Sequence, residues 1–150
     1  MLYFSGEYEC SIDSKGRMLL PSKVKARLPE NYSHTIVITK SPSDPCLLLY
    51  SLPEWGKVAQ KITSLNEFDE NTAFIQRNFL RFSNEVELDA LGRFLIPKKL
   101  LEFSGITKTA IMVGLGNRLE LWEPQRYEQS LVKDQKELSA LMQAYLGSGK

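Results

Sequence analysis

Short apolar runs, each closed by glycine, proline or acidic residues, alternate along this chain with longer stretches whose apolar positions fall at helical spacing. Tyr3 to Ile12 alternates loosely and predicts a first strand. Met18-Leu-Leu20 is wholly apolar and is expected to be buried on both faces. Pro21 suits a first helical position, where no N–H partner is needed, so a short helix is expected over Ser22 to Leu28, stopped by Pro29. After a turn at Asn31 to His34, the β-branched run His34-Thr-Ile-Val-Ile-Thr39 reads as a strand. Leu47-Leu-Leu-Tyr50 reads as a second buried strand after the loop Ser41 to Pro45. Pro53 opens a helix through Trp55, Val58, Ile62 and Leu65, and a further helix follows Asp69, with Phe74, Phe79 and Leu80 expected to face inward.

The pattern then starts again. Asp13-Ser-Lys-Gly-Arg-Met-Leu-Leu-Pro21 returns as Asp89-Ala-Leu-Gly-Arg-Phe-Leu-Ile-Pro97, each copy followed by a lysine, Lys23 or Lys99. Around it, Phe82 to Leu88 echoes Phe4 to Cys10, two residues out of step with the main motif. Lys98 to Phe103 is the second short helix. Ala110-Ile-Met-Val113 matches the strand at Ile36, Leu119-Glu-Leu-Trp122 matches Leu47 to Tyr50, and Pro124 opens a helix as Pro53 does. One last helix is expected to carry Tyr127, Leu131, Leu138, Leu141 and Tyr145, ahead of a loose Gly-Ser-Gly-Lys tail. Two copies are too few for a solenoid. No linker rich in Pro, Gly or Ser divides them, so they are expected to close one shared core.

Composition narrows this picture without redrawing it. At 150 residues, 43% hydrophobic and 25% charged, the chain can build one ordinary globular core. No apolar run reaches the length of a membrane span. The stretch Met1 to Glu9 lacks a basic region followed by an apolar one, so no signal peptide is expected. Cys10 and Cys46 stand alone in apolar settings and read as buried thiols of a reducing cytoplasm, in preference to a disulfide. The net charge of +1 excludes a chain coated in cations, yet Lys15, Arg17, Lys23, Lys25 and Arg27 face only Asp13 within one short stretch. Such a concentration is read either as one anion-contacting surface or as a solvated basic helix face.

Catalytic chemistry finds little purchase. The single His34 has no nucleophile or metal partner in its sequence neighbourhood. Gly114-Leu-Gly116 lacks the third glycine and the strand-to-helix setting of a dinucleotide site, and reads as a turn. Asp13 and Asp89 could pair in a symmetric hydrolase site, but each stands four residues before an arginine, where a turn bond or ion pair is the simpler role. The repeated Asp-x-x-Gly-Arg turn carries more. Gly16 supplies a left-handed turn position and fixes the backbone of Arg17, so that a planar guanidinium projects at a defined angle toward phosphate or guanine. Lys15 adds a point charge suited to backbone phosphate. Asp13–Arg17 and Asp89–Arg93 read equally well as ion pairs that only brace their hairpins. In the second copy Leu91 replaces the apical lysine, so the first copy is expected to lead any contact.

Phe4-x-Gly6, Asp13-Ser-Lys-Gly-Arg17, Pro45-Cys-Leu-Leu-Leu-Tyr-Ser-Leu-Pro-Glu-Trp55, Arg77-x-x-Leu80, Leu88-Asp-x-x-Gly-Arg93 and Leu119-Glu-Leu-Trp122 together resemble the MraZ family of bacterial transcriptional regulators, from about Met1 to Tyr145. The resemblance implies an α+β, mainly β fold. Two tandem β-α-β-β repeats similar to AbrB and the MazE antitoxin (SpoVT-AbrB-like) would form a pseudo-twofold, swapped-hairpin barrel with peripheral helices. The expected boundaries are a first repeat over 1–66, a connecting helix over 67–81, and a second repeat with the C-terminal helix over 82–150. The resemblance also implies a ring-shaped homo-oligomer associated with the nucleoid, repressing its own division and cell-wall gene cluster by binding short direct repeats of double-stranded DNA in the promoter. The residues expected to face DNA are Asp13, Lys15, Gly16, Arg17, Lys23, Asp89 and Arg93. No cofactor, metal, membrane or small-molecule substrate is expected. The competing readings are an oligomeric scaffold or antitoxin-like interaction module that binds no DNA, and a small barrel hydrolase.

Overall fold

The computed structural model describes residues 4–147. Tyr3 of the expected first strand and the last three residues of the expected tail lie outside that range. The first half runs β1 (Phe4–Ser11), β2 (Arg17–Leu19), α1 (Ser22–Lys25), a 3₁₀ turn (Glu30–Tyr32), β3 (Thr35–Lys40), β4 (Leu47–Ser51) and α2 (Leu52–Thr63). After α3 (Glu70–Leu80), the second half repeats the order as β5 (Asn84–Glu87), β6 (Arg93–Leu95), α4 (Lys98–Ser104), β7 (Thr109–Gly116), β8 (Leu119–Trp122) and α5 (Pro124–Ser130), and α6 (Gln135–Leu146) is added at the end.

The halves are interleaved. A six-stranded antiparallel sheet has the order β1-β7-β8-β4-β3-β5, which reads the same from both ends once the two halves are exchanged. The first strand of each half therefore pairs with the other half: β1 with β7, and β5 with β3. The approximate twofold passes between β4 and β8, where Leu48 faces Glu120. It also passes through a separate two-stranded ribbon, β2 with β6, where Met18 faces Phe94. The sheet is open, with β1 and β5 at its edges, so the barrel implied by the resemblance is not closed here.

One core serves both halves. Met18, Leu20 and Val24, with their counterparts Phe94, Ile96 and Leu100, pack in the same cluster as Ile36, Ile38, Leu47, Leu49, Met112 and Leu121. Each side chain fully removed from water there contributes about 1.5–3 kcal/mol. β4 is buried along its whole length because it is central and covered on both faces. Leu47 and Leu49 join the core, whereas Tyr50 meets Trp55 of α2 at 5.5 Å between ring centroids. Ser51 caps α2 by accepting from the Glu54 N–H, and Asp69 caps α3 by accepting from the N–H groups of Asn71 and Thr72. The two helices are joined by Trp55 stacking on Phe79 and by the Gln76 side-chain amide donating to the carbonyls of Ile62 and Leu65.

Four expectations are corrected. Met18 and Leu20 are buried, but Leu19 between them is 56% exposed, because β2 has a partner strand on one side and covers the core with one face only. Phe74 does not face inward; it is 62% exposed, since α3 leans on α2 and not on the sheet. The last helix is two helices: Leu131 turns the chain to an extended conformation and Asp134 caps a new helix by accepting from the Lys136 N–H. Tyr127 alone of the expected stripe is buried, beside Trp122, with its hydroxyl donating to Glu7 at 2.5 Å. Finally, Gly114 is no turn residue but lies within β7, opposite Gly6 of β1. Cys10 and Cys46 are free and buried. Burial pushes the Cys10 thiol up to about 11; burial, followed by the charges of Glu120 and Asp44, pushes Cys46 up to about 12. Neither is a nucleophile near neutral pH.

Candidate nucleic-acid interface

The two Asp-x-x-Gly-Arg segments fold into the same turn. In the first, the Asp13 N–H donates to the Arg17 carbonyl at 2.9 Å, and the Gly16 N–H donates to the Asp13 carbonyl at 3.0 Å. In the second, the equivalent Asp89–Arg93 and Gly92–Asp89 bonds are 2.8 and 2.9 Å. Glycine is required at the bend, where φ is +84° at Gly16 and +87° at Gly92. The aspartate organises the rest. One carboxylate oxygen of Asp13 accepts the backbone N–H groups of Lys15 and Arg17, both at 2.9 Å, and the other accepts Arg17 Nε at 2.9 Å. Asp89 does the same for Leu91, Arg93 and Arg93 Nε at 2.9, 2.8 and 2.8 Å.

Both carboxyls are held below the usual carboxylate range, first by the backbone N–H of Arg17 or Arg93 and then by the guanidinium bond and the N–H of residue 15 or 91. The shift keeps them ionised, the opposite of what a general acid needs. The hydrolase reading has no support from this geometry.

The bracing bonds and the outward guanidinium, which stood as alternatives on sequence, are both present. Aspartate takes Nε only. Among the described residues, the Nη atoms of Arg17 and Arg93 have no hydrogen-bond or carboxylate partner, and the two side chains are 34% and 35% exposed. Nε pinned and Nη free is an arrangement that fixes the fork and leaves its bidentate edge available to phosphate or to the O6 and N7 atoms of guanine.

The ribbon sets the two turns in one frame. In β2 and β6 Arg17 stands opposite Leu95 and Leu19 opposite Arg93, while Met18 and Phe94 point into the core. Side chains alternate along a strand, so Arg17, Leu19, Arg93 and Leu95 share the outer face. Leu19 and Leu95 are 56% and 54% exposed. A two-stranded ribbon is one of the shapes that the major groove admits.

The structure thus groups Asp13, Lys15, Gly16 and Arg17 on one turn and Asp89 and Arg93 on its counterpart. Lys23 lies outside both turns, exposed on α1. Sequence reading missed Leu19 and Leu95 as parts of this face. Their alternation with the arginines was the available signal, but a three-residue run shows too little of a period to be heard.

Comparisons with known proteins match the division of the chain into two halves. The family model described as "MraZ protein, putative antitoxin-like" matches twice in tandem, over residues 3–78 and 79–146. A protein of Cytophaga hutchinsonii named transcriptional regulator MraZ is 44% identical over 150 residues, covering 100% of this chain and 99% of its own. Proteins of the same name from Christiangramia forsetii and Thiobacillus denitrificans are each 33% identical, over 148 and 130 residues, covering 99% and 87% of this chain and 96% and 87% of theirs.

Proposed function

We infer, since this chain belongs to the MraZ family, that it is a non-enzymatic transcriptional regulator that binds double-stranded DNA sequence-specifically through its two arginine turns. The observation that carries this reading is the pair of matched turns whose Nη atoms stay free beside an outward ribbon. Asp13 and Asp89 position, Gly16 permits the bend, Arg17 and Arg93 read base edges, and Lys15 and Lys23 meet phosphates. The target is a set of short direct repeats in the promoter of the protein's own division and cell-wall cluster, which it represses from the nucleoid.

One subunit offers few cations, so its affinity alone is low and strongly salt-dependent. A ring places several identical ribbons on consecutive repeats and multiplies affinity through effective concentration. Ring closure needs a head-to-tail interface, and the uncovered apolar residues of α3 and α6, such as Phe74, Ile75, Leu141 and Met142, supply area for one.

The test is a mobility-shift titration on the DNA upstream of the gene, repeated at rising salt. With Lys15 and Lys23 on phosphates, these two contacts should make log affinity fall against log salt with a slope of roughly −1.8 per bound subunit. The oligomeric scaffold or antitoxin-like alternative is favoured by the bracing role of the Asp–Arg bonds. Absence of any shift, or equal affinity for unrelated DNA, decides for that alternative.

A further inference from the structure

The second turn has Leu91 at its apex where the first has Lys15, so on sequence it carries no lysine. We propose that Lys25 supplies that cation from the other half of the chain and serves as the phosphate-binding lysine of the second turn; the proposal rests on the DNA-binding reading above. Interleaving of the halves puts each short helix beside the other half's turn. Lys25, at the end of α1, lies against Gly92: its Nζ is 3.5 Å and its Cδ 3.6 Å from where a Cβ on that glycine would stand. The equivalent place beside Gly16 is filled by the counterpart of Lys25 in α4, Leu101, with Cδ1 at 3.4 Å.

Lysine and leucine have therefore changed places between apex and flank. The first turn has Lys15 at its apex and Leu101 at its flank; the second has Leu91 at its apex and Lys25 at its flank. Each turn ends with one aspartate, one arginine and one lysine. Among the described residues Lys25 is in no ion pair, so its ammonium is free to meet an anion. Its stem lies along the turn that holds Arg93, which lets it neutralise a phosphate next to the base that Arg93 reads. The expectation that the first copy leads is replaced by two turns of equal charge.

The experiment compares Lys25→Gln, Lys15→Gln and Lys61→Gln in the full chain. Lys61 is a reference lysine, exposed on α2. Each is titrated against the upstream duplex and a random duplex over a salt series. Lys25→Gln should weaken binding several-fold on both duplexes and make the salt slope shallower by about 0.9 per subunit, as Lys15→Gln does. Lys25→Arg should retain affinity, and adding Leu91→Lys to Lys25→Gln should restore it, which no repair of helix packing alone would do. If Lys25→Gln matches Lys61→Gln while Lys15→Gln loses affinity, or if Leu91→Lys fails to restore binding, Lys25 has no such role and the DNA-binding reading stands. If the unaltered protein shows no salt-dependent binding, both fall.

Discussion

Replacing Arg17 and Arg93 together by alanine is expected to abolish specific promoter binding while leaving the assembled protein intact. A bidentate arginine–guanine contact contributes about 1–3 kcal/mol of discrimination. Each single variant should thus lose roughly 10- to 100-fold in specific affinity. In a ring the loss recurs in every subunit that meets a repeat, so the double variant should not discriminate the promoter from random DNA. The fold should survive. Both guanidinium groups are partly exposed, and the aspartates they leave behind remain at the surface, hydrated and still bonded to the turn N–H groups. Mobility shifts on promoter and random duplexes, beside a native mass of each variant, check both halves of this expectation. Discrimination retained by the double variant would move the reading surface elsewhere.

The largest effect on stability is expected at Gly114. Its backbone is not left-handed; the constraint is space, because β1 crosses so closely that a Cβ would lie 2.4 Å from Ser5 N and 2.7 Å from the Phe4 carbonyl carbon. Those are backbone atoms and cannot rotate aside. Gly114→Val must push β1 away from β7, with buried Phe4 following. Overpacking of this kind costs about 3 kcal/mol or more, a fall in Tm of about 10 °C for a chain of this size. Gly56 is the contrast: it sits in α2 with nothing within 4 Å of its Cβ position. Gly56→Ala should raise stability by about 0.5–1 kcal/mol through helix propensity. Thermal melts followed by circular dichroism separate the two, and an unchanged melt for Gly114→Val would contradict the close pairing of β1 with β7.

That second case shows where sequence reading stops. Gly114-Leu-Gly116 looks like a turn because glycine marks both bends and close approaches, and only the register of β1 tells them apart. The repeated Asp-x-x-Gly-Arg segments, by contrast, were legible as glycine turns in which aspartate bonds the turn or its arginine, since those residues at that spacing can close one turn with few alternatives. Which atoms bond, and that Nη stays free, came only from the structure. The buried strand Leu47 to Tyr50 was also legible, being continuously apolar and short. Lys25 was not visible as a companion of the second turn. It stands far from Gly92 along the chain, and their contact exists only because the halves exchange strands and helices. Phe74 was misplaced for a related reason: helical spacing identifies an apolar face but does not say whether this chain or another molecule covers it.

The central claim is that the paired turns are the surface that touches DNA. A photocrosslinking residue placed at Ser14 or Leu91, one exposed position on each turn, tests it most directly, with the same residue at Phe68, 90% exposed between α2 and α3, as reference. Covalent capture of the upstream duplex from Ser14 and Leu91, and little from Phe68, is the predicted result. Capture from Phe68 alone, while the protein remains bound to that duplex, would contradict the account.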